Sequence, residues 1–215
     1  MSINFASLLT AFVMFIIPML FAITFHEAAH GYIAKIRGDN TAYLMGRVSL
    51  NPLKTHRSII GTIILPSLMF LLGTGFLFGW AKPVPVNFNQ LKNPKWDTTL
   101  VAIAGPLANF IMAIIWLILW QHIPNSGFNQ MAYFGIILNL MLMVFNLLPI
   151  SPLDGSRIIS AFLPNHTAIQ YNRLERWGFL IILVLLFIPF GNTNILAGTL
   201  FPIVYDLFSF IQWLF

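Results

Sequence analysis

Long apolar runs with almost no charge dominate this chain, and they decide the solvent in which it folds. Phe5 to Ile36, Ile59 to Phe78, Leu100 to Trp120, Met131 to Leu148 and Ile195 to Leu214 each approach or exceed the roughly 20 residues that a helix needs to cross a bilayer core; Trp177 to Phe190 adds a shorter run. With 58% of its 215 residues hydrophobic and 8% charged, the chain carries more apolar surface than a soluble domain of this size can bury. Backbone polar groups in lipid must be satisfied within their own segment, so the spans are expected to be helices. The fold class expected is an all-α polytopic membrane protein, with about five to six transmembrane segments by the length criterion.

Breakers and polar stretches divide the runs. The first span ends at Gly38 and the turn-prone pair Asp39 and Asn40. Thr41 to Leu50, with Tyr43, Val48 and Leu50 around Gly46, is β-prone and reads as a short membrane-associated hairpin or strand. Pro66 and the Gly73-Thr74-Gly75 run make a re-entrant hairpin as plausible as a straight crossing for Ile59 to Phe78, and the hairpin is favoured because a crossing would put Lys82, Lys92 and Lys95 outside. Ala81 to Lys95 holds three prolines and three lysines and reads as a surface loop, in which Val84 and Val86 suit an edge strand. A short helix is expected near Arg157 to Phe162, and Pro164 to Arg176 reads as polar and interfacial. The N-terminal stretch has no basic flank and no small-x-small cleavage site, so it is expected to stay as a mature span. The chain is taken as one membrane domain, 1–215, with a catalytic core of about 5–162 and C-terminal spans of about 177–215.

The formal charge of +5 does not point to nucleic acid, because no basic run exceeds two adjacent residues and the charges lie between apolar spans. They describe membrane topology instead. If the first helix runs outside to inside and the next two clean spans go out and back, all eleven Lys and Arg residues, from Lys35 to Arg176, fall on the cytoplasmic face. Trp80, Trp96, Trp120 and Trp177 lie near span ends, as an interfacial aromatic belt requires.

Against this apolar background, His26-Glu27-Ala28-Ala29-His30 stands out. Two imidazoles four positions apart on a helix share one face and can share one zinc ion, while Glu27 is placed to take a proton from water at such an ion. The competing reading, polar residues satisfied inside a bundle, puts three ionisable groups within one turn of a membrane helix, which is costly unless something binds them. The chain has no cysteine, so further ligands must be His, Asp or Glu. Catalytic zinc takes three protein ligands, and Asp154, beside the span-breaking Pro149 and Pro152 and followed by Gly155, is the best candidate for the third. Capping of the following short helix is its alternative role.

The zinc motif is followed in order by Gly46 to Lys54 (GRVSLNPLK), Phe78 to Asn87 (FGWAKPVPVN), Gly105-Pro106-Leu107-Ala108-Asn109, and Asn146 to Gly155 (NLLPISPLDG). Together these resemble the site-2 protease family of intramembrane metalloproteases, over roughly residues 10 to 162. The resemblance implies one zinc ion held by His26, His30 and Asp154, with Glu27 as general base and proton shuttle. It implies that Asn146 helps to place substrate or its developing oxyanion, a role for which capping of the broken helix competes, and it gives Asn109 a place in the same motif set, with helix packing beside Gly105 and Ala108 as the equal alternative. The implied activity is hydrolysis of peptide bonds in or near transmembrane segments of membrane protein substrates. The implied location is the cell (inner) membrane, with the active site toward the cytoplasm. Departures from the pattern fall at Ser156, where many relatives have Gly, and at Arg57-Ser58-Ile59. The length leaves no room for PDZ or CBS domains, so the chain is similar to a minimal form. His122 and His166 are expected to take no part, and for His56, flanked by Lys54 and Arg57, an interfacial place is favoured over a ligand or a substrate contact. The rival readings are a metal-permeation or transport protein and an inactive protease-like binding protein.

Overall fold

The computed structural model describes residues 5–51, 84–123, 126–191 and 193–215. Among them are eight α-helices: α1 (Phe5–Arg37), α2 (Thr41–Leu44), α3 (Pro94–His122), α4 (Ser126–Asn146), α5 (Asp154–Phe162), α6 (Asn165–Asn172), α7 (Glu175–Phe187) and α8 (Ile195–Leu214). Two short strands, β1 (Pro189–Phe190) and β2 (Thr193–Asn194), pair antiparallel between α7 and α8. The all-α membrane architecture stands. Among the described residues four helices, α1, α3, α4 and α8, are long and apolar enough to cross a bilayer. Ile59 to Phe78 lies outside the described residues, as do Lys54, His56 and Trp80. The 13 residues of α7 reach about 20 Å, short of a bilayer core of about 30 Å.

Helix α1 stops where the sequence says it should. Lys35 and Arg37 occupy its last turn, where the exposed carbonyl ends favour cations. Gly38 then takes φ +117°, and the N–H groups of Gly38 and Asp39 close on the carbonyls of Lys35 and Ala34 at 3.2 and 2.9 Å, a Schellman ending that needs glycine at the turn. Helix α3 starts at Pro94, six residues ahead of the apolar run that signals it. Proline suits a first helical position, and the Asp97 carboxylate takes the Asn93 N–H at 2.7 Å and Arg37 Nε–H at 2.6 Å. The Arg37–Asp97 pair therefore ties the end of α1 to the beginning of α3.

One strand expectation is corrected, and a second finds no partner strand among the described residues. Thr41–Leu44 is a helical turn rather than a strand, because Asp39 Oδ1 accepts the Thr41 N–H at 2.8 Å and sets the chain into a turn before it can extend. Val84 to Asn87 is in no helix and joins no ladder among the described residues, with Asn87 itself extended at φ −96° and ψ 92°. Its backbone is held by side chains: Glu27 Oε2 accepts the Val84 N–H and Asp39 Oδ2 accepts the Asn87 N–H, each at 2.7 Å. Burial of Asp39 pushes its carboxyl upward, and the hydrogen bonds from Thr41 and Asn87 outweigh this and hold it below the usual carboxylate range. A carboxyl depressed by folding stabilises the fold above its unfolded pKa and loses that contribution as pH falls through the folded value, so this latch is complete at neutral pH.

Packing follows helix faces. Trp116 and Leu117 of α3, Ile136 and Leu140 of α4, and Leu200 and Val204 of α8 form the main core. The other face of α3 presents Leu107, Ile111, Ile115 and Ile118 at helical spacing, all exposed, which in lipid is the solvated face. A small cluster of Ala34, Leu91 and Val101, with Ile33, Val86 and Phe88, seats the stretch before α3 against α1 and α3.

Candidate active site

The break after α4 positions the third acid. Asn146 ends α4, Pro149 and Pro152 keep the next residues out of a helix, and α5 opens with Asp154 in its first turn. Leu153 holds the cap position and makes no side-chain cap, so Asp154 does not serve as a cap. Its carboxylate turns back toward α1, with Oδ2 at 3.2 Å from His26 Nε2 and 3.3 Å from His30 Nε2. The two Nε2 atoms are 3.0 Å apart. His26 and His30 are buried, on one face of α1 as their spacing requires.

What lies behind each imidazole decides what these three atoms can hold. His30 Nδ1 is 2.6 Å from the carbonyl of Val101, which can only accept, so Nδ1 carries the proton and Nε2 presents a bare lone pair. His26 Nδ1 is 2.6 Å from Asn109 Oδ1, with the same consequence. Two lone pairs and a carboxylate oxygen pointed at one another repel unless a cation sits among them. Asp154 Oδ2 is buried and takes no hydrogen bond. Separations of 3.0 to 3.3 Å match the edge of a ligand tetrahedron, about 3.3 Å for zinc bonds of about 2.0 Å. Among the described residues, His26, His30 and Asp154 are a group that could hold a metal ion.

Room for the ion is made by an absent side chain. A Cβ on Gly105 would lie 2.4 Å from His30 Nε2 and 2.6 Å from His26 Nε2, so α3 can approach the imidazoles only with glycine there. Pro106 has no N–H for the preceding turn and loosens the helix wall at the same level.

A cavity of about 430 Å³ opens beside these groups, lined by His26, Glu27, His30, Val84, Asn146 and Asp154 among others. Glu27 Oε2 accepts the Val84 N–H at 2.7 Å, which fixes the carboxylate on the cavity wall. Asn146 donates from Nδ2 to the Leu142 carbonyl at 2.9 Å and is on the same wall. Asn109, by contrast, is fully buried behind His26. His122 and His166 are exposed and away from the site. Arg157 lines the cavity with its guanidinium 4.8 Å from the centre of the Phe88 ring.

The sequence did not reveal three contributors. The Val101 carbonyl and the Val84 N–H are backbone groups and leave no side-chain trace. Asn139 did leave one, as an amide in the middle of an apolar span.

Groups that could hold a metal ion, with a carboxylate beside them, set among helices long and apolar enough to cross a bilayer, are the arrangement of a membrane-embedded metallohydrolase. The family model for peptidase family M50 matches residues 14–125 and 117–189, and the chain belongs to that family as a site-2-type zinc metalloprotease. It is 40% identical over 187 residues to "Putative zinc metalloprotease YwhC" of Bacillus subtilis (strain 168), covering 82% of this chain and 81% of that protein. It is 31% identical over 204 residues to "Putative zinc metalloprotease Rip2" of Mycolicibacterium smegmatis, covering 93% of this chain and 74% of that protein. A shorter match of 73 residues, 44% identical, joins it to "Zinc metalloprotease MJ0392" of Methanocaldococcus jannaschii, over 34% of this chain and 22% of that one. No solved structure matches the chain. Zinc is the metal that the family and these relatives imply, and the all-nitrogen-and-oxygen ligand set suits it.

Proposed function

We propose that the chain cleaves transmembrane protein substrates within the bilayer, with His26, His30 and Asp154 holding the zinc and Glu27 moving the proton. The observation that carries this reading is the place of Glu27 on the wall of the same cavity as the three ligand atoms. His30 and His26 precede the charged end of α1 at Arg37 by seven and eleven residues, which puts them about 10 and 16 Å along the helix from it. The site is thus below the lipid surface on the side of the basic residues, which we assign to the cytoplasm by the positive-inside bias. A count above four spans, and the cell membrane as the location, belong to the same proposal.

Zinc, when bound, lowers the pKa of a water and polarises the scissile carbonyl. Glu27, anchored through Oε2 to Val84 N–H, keeps its second oxygen for the proton of the attacking water and returns that proton to the leaving amine. Asn146 spends one amide N–H on Leu142 and has a second to offer the developing oxyanion. Asn109 and the Val101 carbonyl hold the imidazoles with Nε2 facing the ion.

A transmembrane helix hides its carbonyls in its own hydrogen bonds, so the substrate must unwind, and the non-helical segment from Val84 to Asn87 is the edge we assign to it. Only one donor is left there: Val84 N–H is taken by Glu27, Pro85 has none, and Asn87 N–H is taken by Asp39. Val86→Pro removes that donor. It is expected to slow cleavage about tenfold, roughly the value of one hydrogen bond, with zinc content unchanged. Unchanged cleavage in this variant, measured on a single-span substrate, would remove the pairing from the account.

The activity itself is tested by reconstituting the purified chain with a single-span protein in lipid vesicles. A new fragment with its end in or beside the span is expected, lost on chelation and restored by zinc. Intact substrate together with divalent-ion flux across the vesicles would favour the permeation reading instead.

A further inference from the structure

Behind His26 runs a chain of buried amides that crosses three helices. Asn109 of α3 receives His26 Nδ1 at Oδ1 and donates from Nδ2 both to the Ala22 carbonyl of α1, at 3.2 Å, and to Asn139 Oδ1 of α4, at 3.0 Å. Asn139 donates in turn to the Gly135 carbonyl at 2.8 Å. Both amides are fully buried, and each end of the chain is a backbone carbonyl that can only accept.

That polarity has one solution. Gly135 forces Asn139 to aim its nitrogen away from Asn109 and its oxygen toward it. Asn139 Oδ1 and the Ala22 carbonyl then consume both N–H groups of Asn109, so Oδ1 of Asn109 is the only atom left for His26. An oxygen there requires His26 to be protonated on Nδ1 and bare on Nε2, the form that ligates a metal. If the Asn109 amide flipped, its nitrogen would face His26 and favour the other tautomer, whose Nε2–H cannot coordinate.

From this we infer that Asn139 is a positioning residue of the metal centre: through Asn109 it fixes the tautomer and ring orientation of His26 without touching the ion or the cavity. The inference rests on the reading of His26 as a zinc ligand. A purely structural role is the alternative, since buried amides also join membrane helices to one another.

The two are separated by zinc affinity, measured by chelator competition on purified protein with Asn139→Leu, Asn109→Ala and the double variant, together with the nitrogen-15 shifts of His26 in the metal-free protein. A relay predicts that Asn139→Leu weakens zinc about tenfold or more, as the loss of an outer partner of a ligand does, and that His26 becomes a mixture of tautomers. It also predicts that the double variant binds no more weakly than Asn109→Ala alone, because Asn139 acts only through Asn109. Unchanged zinc affinity and tautomer in Asn139→Leu, or losses that simply add in the double variant, would overturn the relay. If Asn139→Leu does not fold, Asn139→Ala is read in the same way. His26→Ala is run in parallel. Wild-type zinc binding there overturns the ligand assignment and the relay with it, whereas loss there beside unchanged binding in Asn139→Leu overturns the relay alone.

Discussion

Glu27→Gln is expected to abolish cleavage while the protein keeps its zinc. The substitution preserves size and leaves an amide oxygen to accept the Val84 N–H that now meets Oε2 at 2.7 Å, so the carboxylate's neighbours have no reason to move. What disappears is the ability to take a proton at that point of the cavity and give it back. Positioned general acid–base groups contribute about a hundred- to ten-thousand-fold, and the loss is expected at the upper end because Glu27 performs both transfers. Fragment formation from a single-span substrate in vesicles, followed beside zinc content, checks both halves of the prediction. Cleavage above about a tenth of wild type would contradict the role, since it is smaller than the least effect of such a group. Loss of zinc would make Glu27 part of the metal centre instead.

Gly105→Ala is expected to disable the site from the opposite side, by releasing the metal. The added methyl would stand 2.4 Å from His30 Nε2 and 2.6 Å from His26 Nε2 and Cε1. An imidazole at the end of a free side chain would swing away at little cost. These two are fixed at the far side by Asn109 Oδ1 and the Val101 carbonyl, each at 2.6 Å, so relief of the clash breaks an anchor or turns Nε2 away from the ion. Disturbance of an outer contact of a ligand weakens metal binding by about ten- to a hundredfold, and displacement of the ligand atoms themselves is expected to reach or pass that upper figure. Zinc per chain after dialysis against a weak chelator reads the effect, and a thermal unfolding curve separates it from general loss of structure. Full zinc occupancy in this variant would show that α3 lies further from the imidazoles than described.

How far the sequence carried the account can be seen residue by residue. The first span and its end were legible because apolar length and the Gly38 stop are both local signals. Bringing His26 to His30 needed only helical spacing. Asp154 is legible through its chemical context, a carboxylate at a double-proline break, and the fold sets its carboxylate beside the imidazoles rather than at the cap of α5. Thr41–Leu44 was misread because β propensity is weak in so short a stretch, and a single side-chain contact, Asp39 to the Thr41 N–H, tipped it into a turn. The start of α3 was placed late because Pro94 and Asp97 build a helix end without adding hydropathy. The Val101 carbonyl and Val84 N–H could not be found at all, since every residue carries such groups and only the tertiary fold selects the two that matter. Asn139 was visible as an amide in an apolar span, and its significance appears only when Asn109 is seen at the other end of its bond.

The central claim is that His26, His30 and Asp154 share one zinc ion, and zinc quantification on purified wild type beside Asp154→Ala tests it most directly. Asp154 is distant in sequence from the paired histidines and meets them only through the fold, so its substitution tests the proposed ligand set most sharply. About one zinc per wild-type chain and a small fraction of that in Asp154→Ala, after equal exposure to a chelator, is the expected result, in line with the three protein ligands of a catalytic zinc site. Equal, full zinc in both proteins would contradict it.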